Sequence, residues 1–220
     1  ADAELIALSI DVMRELGFTE GEFRVRLSDR ESWMAFCNER GVNGPEIDAF
    51  LQVVDKIERD SDSNLEKLLK PFSATLESVR AFISDASRKP SRNLAVIVDD
   101  LRTRGLDGFI EVDLSIVRGL AYYSGIVFEV FDPRKDLRSV AGGGRYDSLV
   151  SIISDGSVDL PATGYAMGDC VIAELLNDTP GPLSDYQAWL QRQATCDIYV
   201  VIADEAKRPE AISLASTLRA

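Results

Sequence analysis

Arginine and tyrosine side chains that can bind a small polar ligand cluster between residues 116 and 147. Arg118 precedes a glycine, Tyr122 and Tyr123 are adjacent, and Tyr146 follows three glycines and an arginine. A guanidinium offers a planar set of donors to a carboxylate or phosphate, and a phenol joins an apolar ring to a hydroxyl. Singly, the arginine is explained by a surface ion pair and the tyrosines by core packing. Together, within the length of one supersecondary unit, they favour a small-molecule pocket.

The same stretch contains the elements that must position these side chains. Residues 126–131 are rich in β-branched and aromatic residues and predict a strand. Asp132-Pro133 predicts a turn, and residues 138–141 can return as a second strand. The glycines that follow, Gly142, Gly143 and Gly144, leave the main chain open to a ligand, although such triplets are more often tight turns or bulges.

Further candidates lie on neighbouring predicted elements. Residues 109–114 read as a strand with Glu111 and Asp113 on its polar face; Asp113 is a candidate for binding an amine or a cation, and a plain polar sheet face is the alternative. Gly164, in a predicted strand at 161–167, would let a ligand lie against the sheet. Gly168 and Asp169 begin a predicted helix, where a carboxylate is favoured by the helix dipole.

Composition limits the class of protein. With 220 residues and 45% hydrophobic residues, the chain can bury a sizeable core. It has no histidine, which excludes histidine-based catalysis and histidine-ligated metals. Three widely spaced cysteines, Cys37, Cys170 and Cys196, argue against a disulfide framework and for a reducing, cytoplasmic compartment. We see no signal peptide and no apolar run long enough to cross a bilayer. A net charge of −13 counts against tight nonspecific binding to nucleic acid.

Hydrophobic periodicity predicts the remaining elements. Residues 1–16 form an amphipathic helix, and 23–27 a half-buried strand. For Arg24 and Arg26 on the other face of this strand, the favoured prediction is a solvated face beside acidic neighbours, and contact with RNA is the alternative. Residues 28–104 are mostly helical, and their first helix opens with a capping box from Ser28 to Glu31. In that helix Cys37 is a small core residue. The further predictions are a short helix and an acidic loop over 147–159, a helix from 168 with an apolar face, a linker with one short helix over 177–194, a buried strand at 197–203 and a helix at 209–218.

Two of these segments, taken together, resemble a known enzyme family. RGLAYYSGIVFE (118–129) and GGGRYD (142–147) occur in the order of the two histidine-specific signatures of histidyl-tRNA synthetase, and PATGYAMGDCVIAELL (161–176) resembles the third motif of class II aminoacyl-tRNA synthetases. The resemblance implies an α+β fold: a class II synthetase-like antiparallel sheet with a helical insertion, plus the first β-α unit of an α/β anticodon-binding domain. The implied divisions are 1–27 core, 28–104 insertion, 105–178 core with the histidine-specific motifs, 179–195 linker, and 196–220 the start of the anticodon-binding domain.

The resemblance also implies an activity and its residues. Such enzymes join histidine to ATP, which brings Mg²⁺, and pass the histidyl group to tRNA(His); the full-length enzyme is expected to be a homodimer, with no structural metal and no membrane association. Arg118 takes the catalytic role, bridging the histidine carboxylate and the α-phosphate. Arg145 is expected to be structural. The implied histidine-binding residues are Arg118, Tyr122, Tyr123, Tyr146, Gly142, Gly143, Gly144 and Gly164, and the implied ATP-binding residues are Arg118, Gly168 and Asp169.

Departures from the family pattern keep alternatives open. Val171 stands where most members have an arginine that clamps the γ-phosphate, and nothing in residues 1–17 matches the first two class II motifs. The chain therefore reads as a piece of a longer synthetase that is inactive alone. The alternatives are a regulatory subunit of ATP phosphoribosyltransferase, which resembles the synthetase, and a domain that senses RNA or a protein partner.

Overall fold

The structure, a computed structural model, describes residues 1–85, 87, 89–118, 122–134, 138–193 and 198–219. They divide into two compact units, Ala1–Leu183 and Ser184–Ala220. The helices in the described residues are α1 (Asp2–Glu15), α2 (Arg30–Asn38), α3 (Pro45–Val54), α4 (Asp62–Leu69), α5 (Leu76–Ser84), α6 (Arg92–Thr103), α7 (Leu149–Ile153), α8 (Asp169–Asp178), α9 (Pro180–Arg192) and α10 (Arg208–Leu218). The strands are β1 (Arg24–Asp29), β2 (Ile110–Val112), β3 (Ile126–Phe131), β4 (Ala141–Arg145) and β5 (Thr163–Met167).

The strands form one mixed sheet in the order β2-β1-β3-β4-β5. β1 and β2 are parallel, and the other three pairs are antiparallel. The predicted hairpin is present, but its return strand begins at Ala141, so the three glycines lie within β4 and not after it. A glycine keeps its backbone N–H and C=O groups, and these pair with β3 as in any strand. The α+β fold class is confirmed, with one parallel pair in a mainly antiparallel sheet.

One face of the sheet is covered by α1, α6 and α8. Helix α1 is amphipathic, as its periodicity predicted, and it buries Ile6, Ile10 and Met13 against this face. α6 contributes the fully buried Leu94 and Leu101 to the same core. Arg145, at the end of β4, donates from Nε and Nη2 to the carboxylate of Asp2 at 2.9 and 2.7 Å and ties the sheet to α1. Its predicted structural role is confirmed.

A second core lies among α2, α3, α4 and α5. Its centre is aromatic, with Trp33 and Phe82 ring centroids 4.7 Å apart and Phe36 and Phe82 centroids 4.6 Å apart. Cys37 is fully buried here, and burial raises the pKa of its thiol to about 11. The predicted helical block and the packing role of Cys37 are therefore confirmed.

The first helix of this block has a different cap from the predicted one. Ser28 lies in β1, and the carboxylate of Asp29 accepts the N–H of Ser32 at 2.7 Å. The predicted Ser28 capping box is wrong because β1 ends at Asp29, two residues beyond the predicted strand end at residue 27. Strand pairing with β3 extends to Asp29 opposite Ile126, so Ser28 has strand geometry and Asp29 is the residue at the helix start.

The smaller unit departs from the predicted β-α unit in its first half. Residues 198–203 are not in a strand, and Ile198, Tyr199 and Val201 are exposed by 60%, 81% and 71%; Asp197 and Cys196 lie outside the described residues. A strand needs a neighbour for its backbone groups, and no second strand is present among the described residues of this unit. The predicted following helix is present as α10. The predicted linker is also mostly helical, as α9.

No helix within the described residues is long and apolar enough to cross a membrane.

Candidate functional site

The sheet face opposite α1 is shaped by the glycines of β4 and β5. In the β3–β4 pair, Glu129 lies opposite Gly142 and Val127 opposite Gly144. In the β4–β5 pair, Gly144 lies opposite Gly164. Because side chains alternate between faces, these positions share one face, where three of them carry no side chain. This face can therefore be approached closely by groups that lie above it.

Arg118 lies directly over this face. A Cβ added to Gly142 would overlap the guanidinium of Arg118. Arg118 Nη1 donates to Glu129 Oε1 at 2.8 Å, and the two side chains are only 23% and 19% exposed. The pair is thus partly withdrawn from water. In such an environment the attraction between the two charges is stronger than at a fully exposed surface.

The segment before Arg118 explains how the arginine reaches this place. Asp113 N–H donates to the carbonyl of Leu27, continuing the pairing of β2 with β1. Leu114 and Val117 are then buried in the helical core, and the indole of Trp33 donates to the Leu114 carbonyl at 2.9 Å. Arg118 itself has φ 42°, a left-handed conformation that is uncommon for a residue with a side chain. The sheet and the helical core together therefore hold Arg118, at a local conformational cost.

The three tyrosines gather beside Arg118. Ring centroids are 4.7 Å apart for Tyr122 and Tyr123, 5.8 Å for Tyr122 and Tyr146, and 6.2 Å for Tyr123 and Tyr146. The guanidinium carbon of Arg118 is 5.9 Å from the Tyr123 ring centroid. Burial raises the pKa of Tyr123 to about 12, so its phenol stays neutral at physiological pH.

The tyrosines also lie against the glycines. A Cβ at Gly144 would be 2.9 Å from two Tyr123 ring carbons, and one at Gly164 would overlap the Tyr146 hydroxyl. The predicted convergence of Arg118 and the tyrosines on a glycine floor is thus present in the structure. Its upper side is lined by one cation and by phenols, a set that can hold an anionic group and an aromatic or heteroaromatic ring.

Gly143 does not belong to this floor. It lies opposite Phe128, a residue of the core beneath α1, and its added Cβ would meet the Gly164 carbonyl and Tyr165. Gly143 was predicted to bind histidine together with Gly142 and Gly144, but it faces the other side of the sheet, because alternate residues of a strand face opposite sides.

Gly168 and Asp169 make local contacts at the start of α8. Gly168 N–H donates to the Val140 carbonyl at 2.9 Å, and Asp169 Oδ1 accepts the N–H of Cys170 at 2.8 Å. Val171 is partly buried against the core beneath α1. The structure brings neither Gly168 nor Asp169 into contact with Arg118, and their role in binding ATP stays a prediction.

Arg26 and Asp113 have a different role from the predicted one. Arg26 is 4% exposed, its guanidinium carbon lies 4.7 Å from the Phe131 ring centroid, and its Nη1 is 3.4 Å from Asp113 Oδ2. The prediction of a solvated face for Arg26 is wrong, because Phe131 and Asp113 cover it. Asp113 was a candidate for binding an amine or a cation. In the structure, the cation beside it is the guanidinium of Arg26.

Glu129 is the site residue that the sequence reasoning missed. The alternation of strand 126–131, with Phe128 and Val130 directed to the core, places Glu129 on the opposite face and was a usable signal. Burial raises the pKa of Glu129, and Asp55 adds to the rise, while Arg118, Arg59 and Arg26 oppose it. Glu129 thus accepts a hydrogen bond from Arg118 and lies opposite Arg26 in the pairing of β1 with β3. No group of three or more His, Cys, Asp or Glu side chains suited to a metal ion occurs in the described part of the chain.

Comparison with known proteins adds independent support for the family. A family model described as histidyl-tRNA synthetase matches residues 1–168. A histidine–tRNA ligase from Opitutus terrae is 38% identical over all of this chain and 53% of its own length. A chloroplastic/mitochondrial histidine–tRNA ligase from Arabidopsis thaliana is 33% identical, over 81% of this chain and 39% of its own. The chain thus spans about half the length of the curated relatives it matches, or less.

Solved structures share the fold at low sequence identity. Histidyl-tRNA synthetase from Nostoc sp. PCC 7120 superposes with a TM-score of 0.62 at 18% identity, over 99% of this chain and 54% of that one. A Bacillus halodurans protein described as an ATP phosphoribosyltransferase regulatory subunit/histidyl-tRNA synthetase gives 0.61 at 22% identity, over 80% and 49%. The matched family model, the curated relatives and the shared fold lead to one conclusion: this chain belongs to the histidyl-tRNA synthetase family.

Proposed function

We propose that the complete protein containing this chain is a histidine–tRNA ligase. It activates histidine with ATP to give histidyl-adenylate and pyrophosphate, and it transfers the histidyl group to tRNA(His). The observation that carries the proposal is the convergence of Arg118 with Tyr122, Tyr123 and Tyr146 over a strand that lacks side chains at Gly142 and Gly144.

Arg118 supplies the charge that the first step needs. A carboxylate oxygen of histidine attacks the α-phosphorus of ATP, the bond to the β-phosphate oxygen breaks, and pyrophosphate leaves. Negative charge accumulates on the α-phosphate oxygens in the transition state, and a fixed guanidinium stabilises it. The same planar donor set orients the attacking carboxylate. Magnesium enters with ATP as part of the substrate and remains on the phosphate oxygens.

The tyrosines supply the selectivity for the amino acid side chain. A neutral phenol can donate to, or accept from, an imidazole nitrogen, and its ring packs beside the imidazole. The raised pKa of Tyr123, about 12, keeps its hydroxyl in the neutral form that can do either. Tyr146, whose hydroxyl lies beside Gly164, contributes a further phenol to the proposed imidazole site.

The wider organisation is part of the same proposal. Membership of the family supports histidine, ATP and tRNA(His) as substrates, a homodimer as the working assembly, and the division into core, helical insertion and anticodon-binding segment. The scattered cysteines, odd in number, support a reducing compartment such as the cytoplasm.

One observation favours a second candidate, a regulatory relative that does not aminoacylate. Val171 packs into the core at the place where the family resemblance implies a phosphate-binding arginine. A protein that keeps the histidine pocket and has lost this clamp would bind histidine without activating it. Histidine binding with no ATP–pyrophosphate exchange in the complete wild-type protein would favour this candidate.

The test of catalysis is Arg118→Ala in the complete protein. We expect histidine-dependent ATP–pyrophosphate exchange to fall by about two to four decades, because the transition-state charge loses its cation. Arg14→Ala is the matched control: Arg14 is an exposed arginine of α1, 3.1 Å from Asp11, and its loss should leave the rate unchanged. A rate within a few fold of wild type for Arg118→Ala rejects the catalytic assignment.

A further inference from the structure

On the basis of the function proposed above for Arg118, we propose that Glu129 is a positioning residue for that arginine. Its carboxylate holds one edge of the guanidinium against the sheet, so that the remaining donors of Arg118 face the anionic groups of the substrates. Glu129 acts through Arg118 and does not itself contact histidine or ATP.

The strand register builds a seat for the guanidinium. Glu129 and Gly142 are directly paired across β3 and β4. The missing side chain of Gly142 leaves the space in which the guanidinium lies, and the carboxylate beside that space accepts from Nη1 at 2.8 Å. One pair of facing residues therefore provides both features: Gly142 leaves the space for the guanidinium of Arg118, and Glu129 supplies its hydrogen-bond acceptor.

The backbone of Arg118 makes such a partner necessary. With φ 42°, its main chain is in a region that a non-glycine residue leaves readily unless tertiary contacts hold it. A long arginine side chain also loses rotamer freedom when it is fixed in one pose. The contact with Glu129, reinforced by the Tyr123 ring 5.9 Å away, opposes both costs.

A second arginine balances the charge of Glu129 from the other side. Arg26 is the residue opposite Glu129 in the pairing of β1 with β3, and it is buried. Asp113 lies 3.4 Å from Arg26 and shares its charge. Glu129 is therefore the ladder neighbour of one arginine and the hydrogen-bond partner of another, so Arg118 does not hold this carboxylate alone.

A double-mutant cycle tests this role in the complete protein. The wild-type protein is compared with Arg118→Ala, Glu129→Gln and the double variant. Histidine activation is measured in a single turnover, with enzyme in excess over ATP. We expect Glu129→Gln to lower the activation rate at saturating histidine by about tenfold or more, as misplacement of a catalytic group does. In the Arg118→Ala background the same change should have no further effect beyond about threefold, because interacting residues are not additive. Glu77→Gln, an exposed carboxylate on α5, is the matched control and should behave as wild type.

Each outcome separates the two proposals. Arg118→Ala within a few fold of wild type defeats the catalytic role of Arg118 and leaves Glu129 nothing to position. Loss of activity in Arg118→Ala with Glu129→Gln within threefold of wild type overturns the positioning role alone. Effects that multiply in the double variant, with a raised KM for histidine, overturn it in favour of direct contact with the substrate ammonium. If Glu129→Gln does not fold by circular dichroism, Glu129→Asp decides: its shorter side chain should lose the contact and about fivefold or more of the rate, and unchanged activity overturns the proposal.

Discussion

At the scale of single residues, two glycines of β4 that look alike in the sequence have different roles. A methyl group at Gly142 would meet the end of the Arg118 side chain and, at 3.2 Å, the Glu129 Cγ. At Gly144 it would meet the Ile126 carbonyl as well as the Tyr123 ring. Flexible side-chain ends can move aside, whereas a paired backbone carbonyl cannot move without disturbing the ladder. Gly142 is therefore a requirement of the site, and Gly144 a requirement of the fold.

Gly142→Ala should separate activity from stability. We expect the variant to fold with a melting temperature close to that of the unchanged protein and to lose about tenfold or more of histidine activation, because the guanidinium is displaced by a distance that matters for catalysis. Gly21→Ala is the control, since an added Cβ there meets nothing within 4 Å. Melting is followed by circular dichroism and activation by ATP–pyrophosphate exchange. Full activity in Gly142→Ala would mean that Arg118 does not need the seat described above.

At the scale of elements, the junction of β1 and α2 shows how a strand pairing overrides a local helix signal. Ser28 and Glu31 have the spacing of a capping box, and in isolation Ser28 would cap the helix. Pairing of β1 with β3 continues through Asp29, so the helix starts one residue later and Asp29 becomes the cap. Ser28 Oγ is buried and has no hydrogen-bond partner among the residues that the structure describes. The carboxylate of Asp29, by contrast, accepts from both the N–H and the hydroxyl of Ser32.

This difference predicts that two neighbouring substitutions will change the free energy of unfolding by unequal amounts. Asp29→Ala should lower the free energy of unfolding by about 1–2 kcal/mol, the usual range for a lost N-cap. Ser28→Ala should change it by less than about 0.5 kcal/mol, because the hydroxyl has no bond to lose. Urea unfolding of both variants, followed by the fluorescence of the buried Trp33 in this helix, gives the comparison. A larger loss for Ser28→Ala than for Asp29→Ala would show that the capping assignment is reversed.

At the scale of the whole molecule, the buried core belongs to the larger unit. The hydrophobic clusters of the described residues draw their buried members from positions 3 to 176. In the smaller unit, large apolar side chains such as Trp189, Tyr199 and Ile212 are 48%, 81% and 58% exposed. A unit with its own core is expected to fold independently, and a segment with little buried apolar area is not.

Removal of residues 184–220 should therefore leave the rest of the chain folded. We expect a chain ending at Leu183 to unfold cooperatively, with a melting temperature within about 5 °C of the 220-residue chain, roughly the shift that 1–2 kcal/mol produces for a domain of this size. Circular dichroism melting, with near-ultraviolet signals from the tyrosines of the site, provides the measurement. Loss of the cooperative transition, or aggregation of the shorter chain alone, would show that the core depends on the removed segment.

The sequence by itself determined the elements and the chemical types of the site residues. Helix and strand periods and the hairpin that begins with the strand at 126–131 are local properties, and the structure has both, although the glycines lie inside the return strand. The grouping of Arg118 with the tyrosines followed from their closeness along the chain, which a hairpin converts into closeness in space.

Only the tertiary structure decided which groups meet across the sheet. The pairing of Glu129 with Arg118, the burial of Arg26 against Phe131 and the turning away of Gly143 all depend on strand register. The register of a strand depends on partners that are distant in sequence, and a shift of one residue moves every side chain of that strand to the other face of the sheet. The segment 198–203 was misread for the same reason: its composition favours a strand, but a strand exists only where another strand is present to accept its hydrogen bonds.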